Sequence, residues 1–316
     1  MKKIKGFTIL ACLALTTAAH AVPSEEYDPI YAGTQLAFYP TNASPGHIAV
    51  QPYFSYVRQY GLYNSEWNEK SSQNINGVGN LLSLETGITD WLDITLILNQ
   101  AYRQFKNMHC WVFGDTSVYL GFQLLHDKKH EWVPDLRLLL GETFPTGKYD
   151  RLNPHRGGSD IFGTGSYTTT LILVLAKTFY TYPRHPYNLN LNVYYINPSN
   201  VPVHGMSLYG GTPATHGKAF PHSGFITNLA VEYSLNQFWA LGMDIRYVHQ
   251  NKTIFKNRDN LPHKTSISSS DQFSLAPCLE YSWSLNFSTA IGPWFTVAGR
   301  NSTAFFGIIG NIYCYF

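Results

Sequence analysis

Apolar and polar residues alternate along several segments of the chain, and the clearest case lies between Phe225 and Leu235. Its apolar residues fall mainly on one face, while Asn228, Glu232 and Ser234 fall on the other. The same alternation resumes three residues after this segment ends. Because successive side chains of a β-strand point to opposite faces, each segment predicts a strand with one apolar face. The short separation predicts that the two strands form an antiparallel hairpin.

The same pattern recurs along the chain and predicts an all-β protein. Twelve strands are predicted, at residues 48–60, 81–89, 93–103, 115–126, 134–144, 166–178, 188–196, 224–235, 239–249, 271–281, 285–297 and 303–316. Short connections mostly alternate with long ones, which are residues 61–80, 104–114, 145–165, 197–223 and 250–270. This alternation is typical of bacterial transmembrane barrels, which have short periplasmic turns and longer external loops. We therefore predict a transmembrane antiparallel β-barrel of about twelve strands, with both termini on the short-turn side.

The first 21 residues have the features of a secretory signal peptide. Three lysines precede an apolar stretch from Phe7 to Leu15, and Ala19-His20-Ala21 forms a small-residue cleavage site. We expect the signal peptide to be removed after Ala21. A lipoprotein signal ending at Cys12 is the alternative, but its apolar core would be only a few residues long. The longest later aliphatic run, Leu171 to Ala176, is much shorter than the roughly 20 residues that cross a bilayer as a helix.

The segment between the signal peptide and the first strand, residues 22–45, alternates only weakly. It is rich in proline and tyrosine, so it is too irregular to join the sheet and too aromatic for a solvated tail. We predict an irregular N-terminal segment that either folds into the lumen as a plug or packs as a tail beneath the barrel. The barrel itself is predicted over residues 46–316.

Composition supports this class of protein. Charged residues make up 13% of the chain, compared with about 25% in soluble domains, and aromatic residues make up 15%. The formal net charge is only +2, so the basic surplus of a nucleic-acid-binding protein is lacking. We expect outer-membrane lipid and a small-molecule solute as partners, and no nucleic acid. Cys110, Cys278 and Cys314 are widely spaced, so at most one disulfide can form, and the sequence does not say whether any two pair.

Charged residues inside the predicted strands fall mainly on the polar faces. With lipid outside, these residues line the lumen and are candidates for setting solute selectivity: Glu85, Arg103, Arg137, Glu232, Asp244, Arg246 and Glu280. Glu232, Asp244 and Arg246 lie on adjacent predicted strands, and we expect them to form a salt-bridged ladder that satisfies buried charge. The alternative is a polar constriction that selects solutes.

The last predicted strand ends in Phe316, behind alternating apolar positions. This ending resembles the carboxyl-terminal signature by which bacterial outer-membrane barrels are recognised for assembly. The resemblance implies that the barrel-assembly machinery is a partner of the carboxyl-terminal strand. It also implies location in the outer membrane of a Gram-negative bacterium.

Two internal motifs extend the resemblance. Phe113-Gly114-Asp115 leads into a strand, and a strand that ends in residues 144–150, FPTGKYD, is followed by residues 163–167, GTGSY. These motifs resemble the family named for the MetA pathway of phenol degradation, over most of the mature chain. The resemblance implies an outer-membrane barrel that transports aromatic or other apolar compounds.

The motif loop comprises Pro145, Thr146, Gly147, Gly163 and Gly165. A structural interpretation accounts for these residues, because proline ends the hydrogen bonding of a strand and glycines allow the backbone to turn where the next strand begins. The alternative is a role in solute uptake.

The fold and the resemblance predict an outer-membrane channel or transporter for small apolar or aromatic molecules, with no cofactor, metal site or catalytic residue. The alternatives are a lipase-like barrel enzyme and a structural or adhesive barrel that binds through its external loops. His204, His216, His222 and His263 lie in predicted external loops without the spacing of metal ligands. The pair His222-Ser223 lacks a nucleophile motif such as GxSxG.

Overall fold

The computed structural model describes residues 28–182, 184–257 and 264–316. The predicted signal peptide and its cleavage site lie outside these residues. The regular secondary structure of the described chain is all β apart from a single 3-10 turn at Pro154–Arg156. Within these ranges, no helix is both long and apolar enough to span a membrane.

Seventeen strands are present in the described chain. They are β1 (Ile48–Tyr63), β2 (Glu69–Thr89), β3 (Leu92–Phe105), β4 (Met108–Phe113), β5 (Thr116–Leu125), β6 (Asp135–Phe144), β7 (Thr168–Phe179), β8 (Tyr187–Pro198), β9 (Val201–His204), β10 (His216–Phe220), β11 (Gly224–Ser234), β12 (Trp239–Gln250), β13 (Thr253–Asn257), β14 (Lys264–Ile267), β15 (Ser270–Ser284), β16 (Phe287–Arg300) and β17 (Thr303–Tyr315).

Thirteen of these strands form one antiparallel sheet that closes on itself, because β1 pairs with both β2 and β17, and β2 pairs with β3. Both β4 and β5 pair with β3, on either side of a break at Gly114 and Asp115, and together they act as one barrel strand. The barrel therefore has twelve strands. The predicted fold class, a twelve-stranded transmembrane antiparallel β-barrel, is confirmed.

The two faces of the barrel strands differ as the alternation predicts. In β12, Asp244 is fully buried on the inward face, while the outward residues Leu241 and Ile245 are 47% and 46% exposed. Exposed aromatic residues such as Trp91 and Trp239 lie beside the short turns, where aromatic girdles of membrane barrels meet the interface. Polar residues therefore face the lumen and apolar residues face lipid.

Some connections predicted as long loops contain strands instead. Residues 61–80 mostly extend β1 and β2 beyond the membrane to a five-residue turn at 64–68. Residues 69–74 are all polar, so they show no alternation, although residues 69–71 pair with β1. Residues 104–114 likewise contain a tight hairpin between β3 and β4.

The loops predicted at 197–223 and 250–270 contribute a second, four-stranded sheet in the order β14, β13, β10, β9. Its core is a small cluster of buried apolar residues, formed by Val201, Val203, Tyr209, Ala219 and Phe255. The strands of this sheet are four or five residues long, which is too short for a reliable alternation pattern. They form a cap on the long-loop side of the barrel.

Candidate functional site

The N-terminal segment, here residues 28–45, lies inside the ring of strands. At its start, Asp28 accepts hydrogen bonds from Lys129 (2.7 Å) and Tyr180 (3.1 Å), which belong to two of the short turns. The bond from Lys129 holds the pKa of Asp28 below its usual value. At its end, the Ser44 backbone N–H donates to the hydroxyl of Tyr315 in β17 (2.9 Å). The segment thus occupies the short-turn end of the lumen.

Three of the candidate lumen carboxylates bind the backbone of this segment. The donor and acceptor pairs are Ala32 N with Glu280 (3.1 Å), Gly33 N with Glu232 (3.1 Å) and Leu36 N with Asp244 (3.1 Å). Asp244 also accepts bonds from the Thr34 hydroxyl (2.8 Å) and the Asn228 amide (2.7 Å). All three carboxylates are almost completely buried, so these donors replace water as their hydrogen-bond partners.

The predicted salt-bridged ladder of Glu232, Asp244 and Arg246 is wrong. All three residues are described, and no ion pair joins them to one another; the carboxylates take their partners from the N-terminal segment instead. Arg246 lies over the ring of Tyr194, with its guanidinium carbon 5.8 Å from the ring centroid, and its Nη1 lies 3.5 Å from the Leu36 carbonyl. A pattern within the strands cannot reveal partners that lie about 200 residues earlier in the chain.

A second buried cluster surrounds Arg137, which is fully buried on the inward face of β6. Its Nη2 donates to Asp93 (2.5 Å) and Glu85 (3.0 Å), and its Nη1 donates to the carbonyls of Tyr39 (3.0 Å) and Thr41 (3.2 Å). One cation therefore holds the fully buried carboxylate of Asp93, the partly buried carboxylate of Glu85 and two backbone carbonyls of the N-terminal segment. Asp93, the first residue of the predicted strand 93–103, is not among the predicted lumen candidates.

The remaining candidate, Arg103, does not reach the N-terminal segment. Its guanidinium donates to the carbonyl of Ile161, in the external loop formed by residues 145–167. The seven candidates therefore separate into two groups. Six contact the N-terminal segment at the short-turn end of the lumen, and Arg103 contacts an external loop at the other end.

An apolar cluster connects the N-terminal segment to the barrel wall. Phe38 packs against buried Ile172 and Val174 of β7, and its ring meets that of Tyr119 edge-on, with centroids 5.3 Å apart. The backbone of Phe38 is held by Asn192 Oδ1, which accepts from its N–H (2.7 Å). This packing explains why β7 is apolar on both faces: one face meets lipid and the other meets Phe38.

Between the two groups of contacts lies a cavity of about 830 Å³. Residues 35–44 of the N-terminal segment line one end, and Phe162 of the external loop lines the other. The wall combines polar side chains, among them Gln51, Asn99 and Thr170, with the aromatic residues Tyr53, Tyr119, Tyr194, Trp294 and Tyr313. Phe162 and Trp294 also line a second cavity of about 430 Å³ on the long-loop side, and thus separate the two spaces. Alternation places these aromatic residues on inward positions but does not indicate that they share a cavity.

The motif residues meet at Asp115, a buried residue at the start of the strand that follows Phe113-Gly114. Its carboxylate accepts hydrogen bonds from the backbone N–H of Gly147 (2.9 Å) and from the N–H (2.7 Å) and hydroxyl (2.8 Å) of Thr164. Thr146 adds a bond to the Gly114 carbonyl (3.0 Å). Asp115 thereby joins both halves of the external loop to the barrel wall, and so holds Phe162 at the end of the cavity.

Glycine is required at the motif positions because backbone segments or side chains of the loop approach them closely. A Cβ on Gly163 would lie 2.4 Å from the carbonyl carbon of Gly147, so neither position has room for a side chain. Gly165 has a φ of +71°, which favours glycine, and it packs against the ring of Tyr149. Pro145 follows the last residue of β6, where a strand can end without losing a ladder bond. These contacts give the five motif residues a structural role in folding the loop inward.

We expect Asp115→Ala to release this loop. The substitution leaves two buried N–H groups without an acceptor, and hydrogen exchange at Gly147 and Thr164 should accelerate on the order of a hundredfold. Glu142→Ala is the matched control, since Glu142 is an outward carboxylate that bonds only the Thr169 hydroxyl. Hydrogen exchange followed by mass spectrometry measures both variants. Equal protection of the loop in Asp115→Ala and wild type would contradict this role.

The remaining predicted residues lie as follows. Phe316 closes the barrel, since its N–H and carbonyl both bond the backbone of Ile48 (3.0 Å each). Cys110, Cys278 and Cys314 are all free thiols.

Two of the loop histidines pair across β9 and β10, where His204 lies opposite His216 with ring centroids 5.7 Å apart. His204 lies beside Asp150, and His222 bonds the carbonyl of Lys252 (2.5 Å), while His263 lies outside the described residues. In the part of the chain that the structure describes, no group of three or more His, Cys, Asp or Glu residues could hold a metal ion.

Comparison with known proteins supports the fold. An outer membrane channel from Pseudomonas putida F1 is 13% identical and superposes with a TM-score of 0.65, covering 87% of this chain and 97% of that chain. The translocator domain of autotransporter NalP from Neisseria meningitidis is 7% identical, with a TM-score of 0.44 over 86% and 89% of the two chains. A mutant of the TodX monoaromatic hydrocarbon channel is 10% identical, with a TM-score of 0.39 over 86% and 91%.

The first of these likenesses shows that the chain has the fold of an outer-membrane barrel, and the lower scores of the other two add nothing to that assignment. No family profile and no curated protein matches the sequence. The family suggested by the motifs therefore stays a prediction.

Proposed function

We propose that this protein is an outer-membrane channel for small apolar or aromatic molecules, and that the N-terminal segment is its plug. The observation that carries the proposal is the cavity of about 830 Å³ inside the barrel, whose wall includes several aromatic side chains. Binding cavities for small molecules span about 300–1,000 Å³ and are lined mainly by apolar and aromatic side chains. The cavity is thus large enough for one small aromatic molecule.

The polar contacts of the lumen support the plug. The N-terminal segment is held by buried acids on one side and by Arg137 on the other, and these groups bond its backbone rather than its side chains. Such bonds hold a segment in one conformation, because backbone N–H and carbonyl groups are satisfied without water. The segment accordingly closes the short-turn end of the lumen.

The remaining parts of the proposal follow from the sequence. We propose that a signal peptide is removed after Ala21, that the carboxyl-terminal strand is recognised by the barrel-assembly machinery, and that the mature protein lies in the outer membrane of a Gram-negative bacterium. The motif residues and the similarity in fold to an outer membrane channel support membership of the family named for the MetA pathway of phenol degradation.

Filling the cavity tests the proposal. Thr170 lies on the cavity wall and is 5% exposed, whereas its neighbour Thr169 faces outward. We expect fluorobenzene to bind wild type in detergent and to show a broadened ¹⁹F resonance, because a bound molecule tumbles with the protein. Thr170→Phe should abolish the broadening, while the control Thr169→Phe should retain it. Identical line widths for all three proteins would reject the cavity as a binding site.

A further inference from the structure

The barrel wall contains an interruption between β15 and β16. The strands pair at Leu275 with Phe295 and again at Leu279 with Ile291, but no pairs form between them. The unpaired residues are 276–278 of β15 and 292–294 of β16, which we call the proline gap. In the described barrel no other strand pair leaves three residues unpaired on both of its strands.

Two prolines account for the gap. Pro277 and Pro293 lie directly opposite each other by register, and neither has the N–H that a ladder bond requires. A Cβ on Gly292 would lie 1.9 Å from the Pro277 carbonyl oxygen, so that carbonyl points at β16 without a ladder partner there. Prolines are normally confined to edges and bulges of sheets, and unpaired backbone groups are costly in lipid. Two opposed prolines in a closed barrel therefore destabilise it.

The interruption is local. On its other side β15 pairs with β12 at every position from Ser270 to Tyr281, and β16 pairs with β17 continuously from Phe287 to Phe295. The two strands can therefore separate at the proline gap while both remain anchored to the barrel. A β-bulge at Phe273 and Ser274 adds further irregularity on the external side of the gap.

The proline gap joins the cavity to the lipid-facing surface. On the inside, Trp294 lines both cavities, with its indole N–H donating to Ser274 Oγ (3.2 Å) and its ring edge-on to Phe305. On the outside, Ile291 is 60% exposed and Leu279 is 36% exposed. A solute that crosses here meets an aromatic ring and then aliphatic side chains.

The alternative exit is chemically unfavourable for such a solute. Toward the short-turn end, the path is closed by the N-terminal segment and by the buried carboxylates of Glu232, Asp244 and Glu280. An uncharged apolar molecule gains nothing from these groups and would have to displace their hydrogen bonds. The lipid core, in contrast, is a favourable environment for an uncharged apolar molecule.

We infer that the proline gap is a lateral exit through which uncharged apolar molecules pass from the luminal cavity into the membrane core. This inference rests on the proposed function, since it takes the cavity as the source of the solute. Opening requires only that β15 and β16 separate over three residues and that the Trp294 ring turns aside.

Restoring the ladder tests the lateral exit. In the double variant Pro277→Val/Pro293→Val, two new N–H groups can pair across the gap, and the open population should fall about tenfold or more. The probe is N-phenyl-1-naphthylamine, which fluoresces in membrane interiors, added to intact cells with a lipopolysaccharide outer leaflet. We expect its rate of entry to fall by that factor, while the single variants give intermediate rates. Heat-shifted mobility on gels verifies that each barrel is folded.

The matched control is Pro52→Val, because Pro52 in β1 has no proline on either neighbouring strand. The Pro52→Val protein should insert into the outer membrane and admit the probe at the wild-type rate. If every folded proline variant takes up the probe at the wild-type rate, the lateral exit is overturned and the proposed function stays intact. A wild-type rate equal to that of cells without the protein would overturn both.

Discussion

Removing residues 24–44, with the signal peptide kept, is expected to raise the ion conductance of the barrel in planar bilayers by about tenfold or more. The deletion removes the residues that line one end of the cavity and the segment that binds Glu232, Asp244 and Glu280. Those carboxylates then face a water-filled lumen, so they do not remain buried without partners. The barrel ladder begins at Ile48 and should assemble unchanged.

A peptide of residues 24–44, added from the short-turn side, is the control for this deletion. It should lower the current again, because the hydrogen-bond partners of the segment are all still in place. A peptide of the same composition in scrambled order should have no effect. Indistinguishable conductance of the full-length and deleted proteins would show that the segment does not close the lumen.

Arg137→Met is expected to destabilise the barrel by about 3–5 kcal/mol, which is typical when one partner of a buried ion pair is removed. The substitution keeps the volume of the side chain but leaves Asp93, which is fully buried, without its cation. It also removes two of the bonds that hold the N-terminal segment. Unfolding in guanidinium, followed by the gel shift of the folded barrel, measures the loss.

Two further variants serve as controls for the Arg137→Met measurement. Arg137→Met/Asp93→Asn should recover part of the loss, because the uncompensated charge on Asp93 is gone. Lys70→Met, in the exposed extension of β2, should unfold at the wild-type concentration of guanidinium. An unfolding midpoint for Arg137→Met equal to that of wild type would mean that the buried cluster contributes nothing to stability.

The fold was predictable where one strand face meets lipid. The predicted strands at 224–235 and 239–249 agree within one residue with β11 (Gly224–Ser234) and β12 (Trp239–Gln250), because lipid imposes an apolar residue at every second position. Outside the membrane that constraint is absent. The polar extension of β2 and the small external sheet are held by backbone pairing, which leaves little trace in the residue pattern.

The candidate site was predictable only in part. Alternation identified the charged inward positions, since a charge on a predicted strand stands out among neutral neighbours. It could not identify their partners, because Gly33 and Leu36 bind through backbone N–H groups that every residue except proline carries. Phe38 and Phe162, which help to define the cavity, lie in segments without regular structure. Their positions follow from tertiary packing alone.

The rate at which N-phenyl-1-naphthylamine enters intact cells tests the central proposal most directly, because it follows an apolar aromatic molecule across a lipopolysaccharide leaflet. Cells that carry the protein should take up the probe several times faster than cells without it, and cells that carry Thr170→Phe should resemble the latter. Equal rates in all three, with the barrel folded in the outer membrane, would contradict a channel for small apolar molecules.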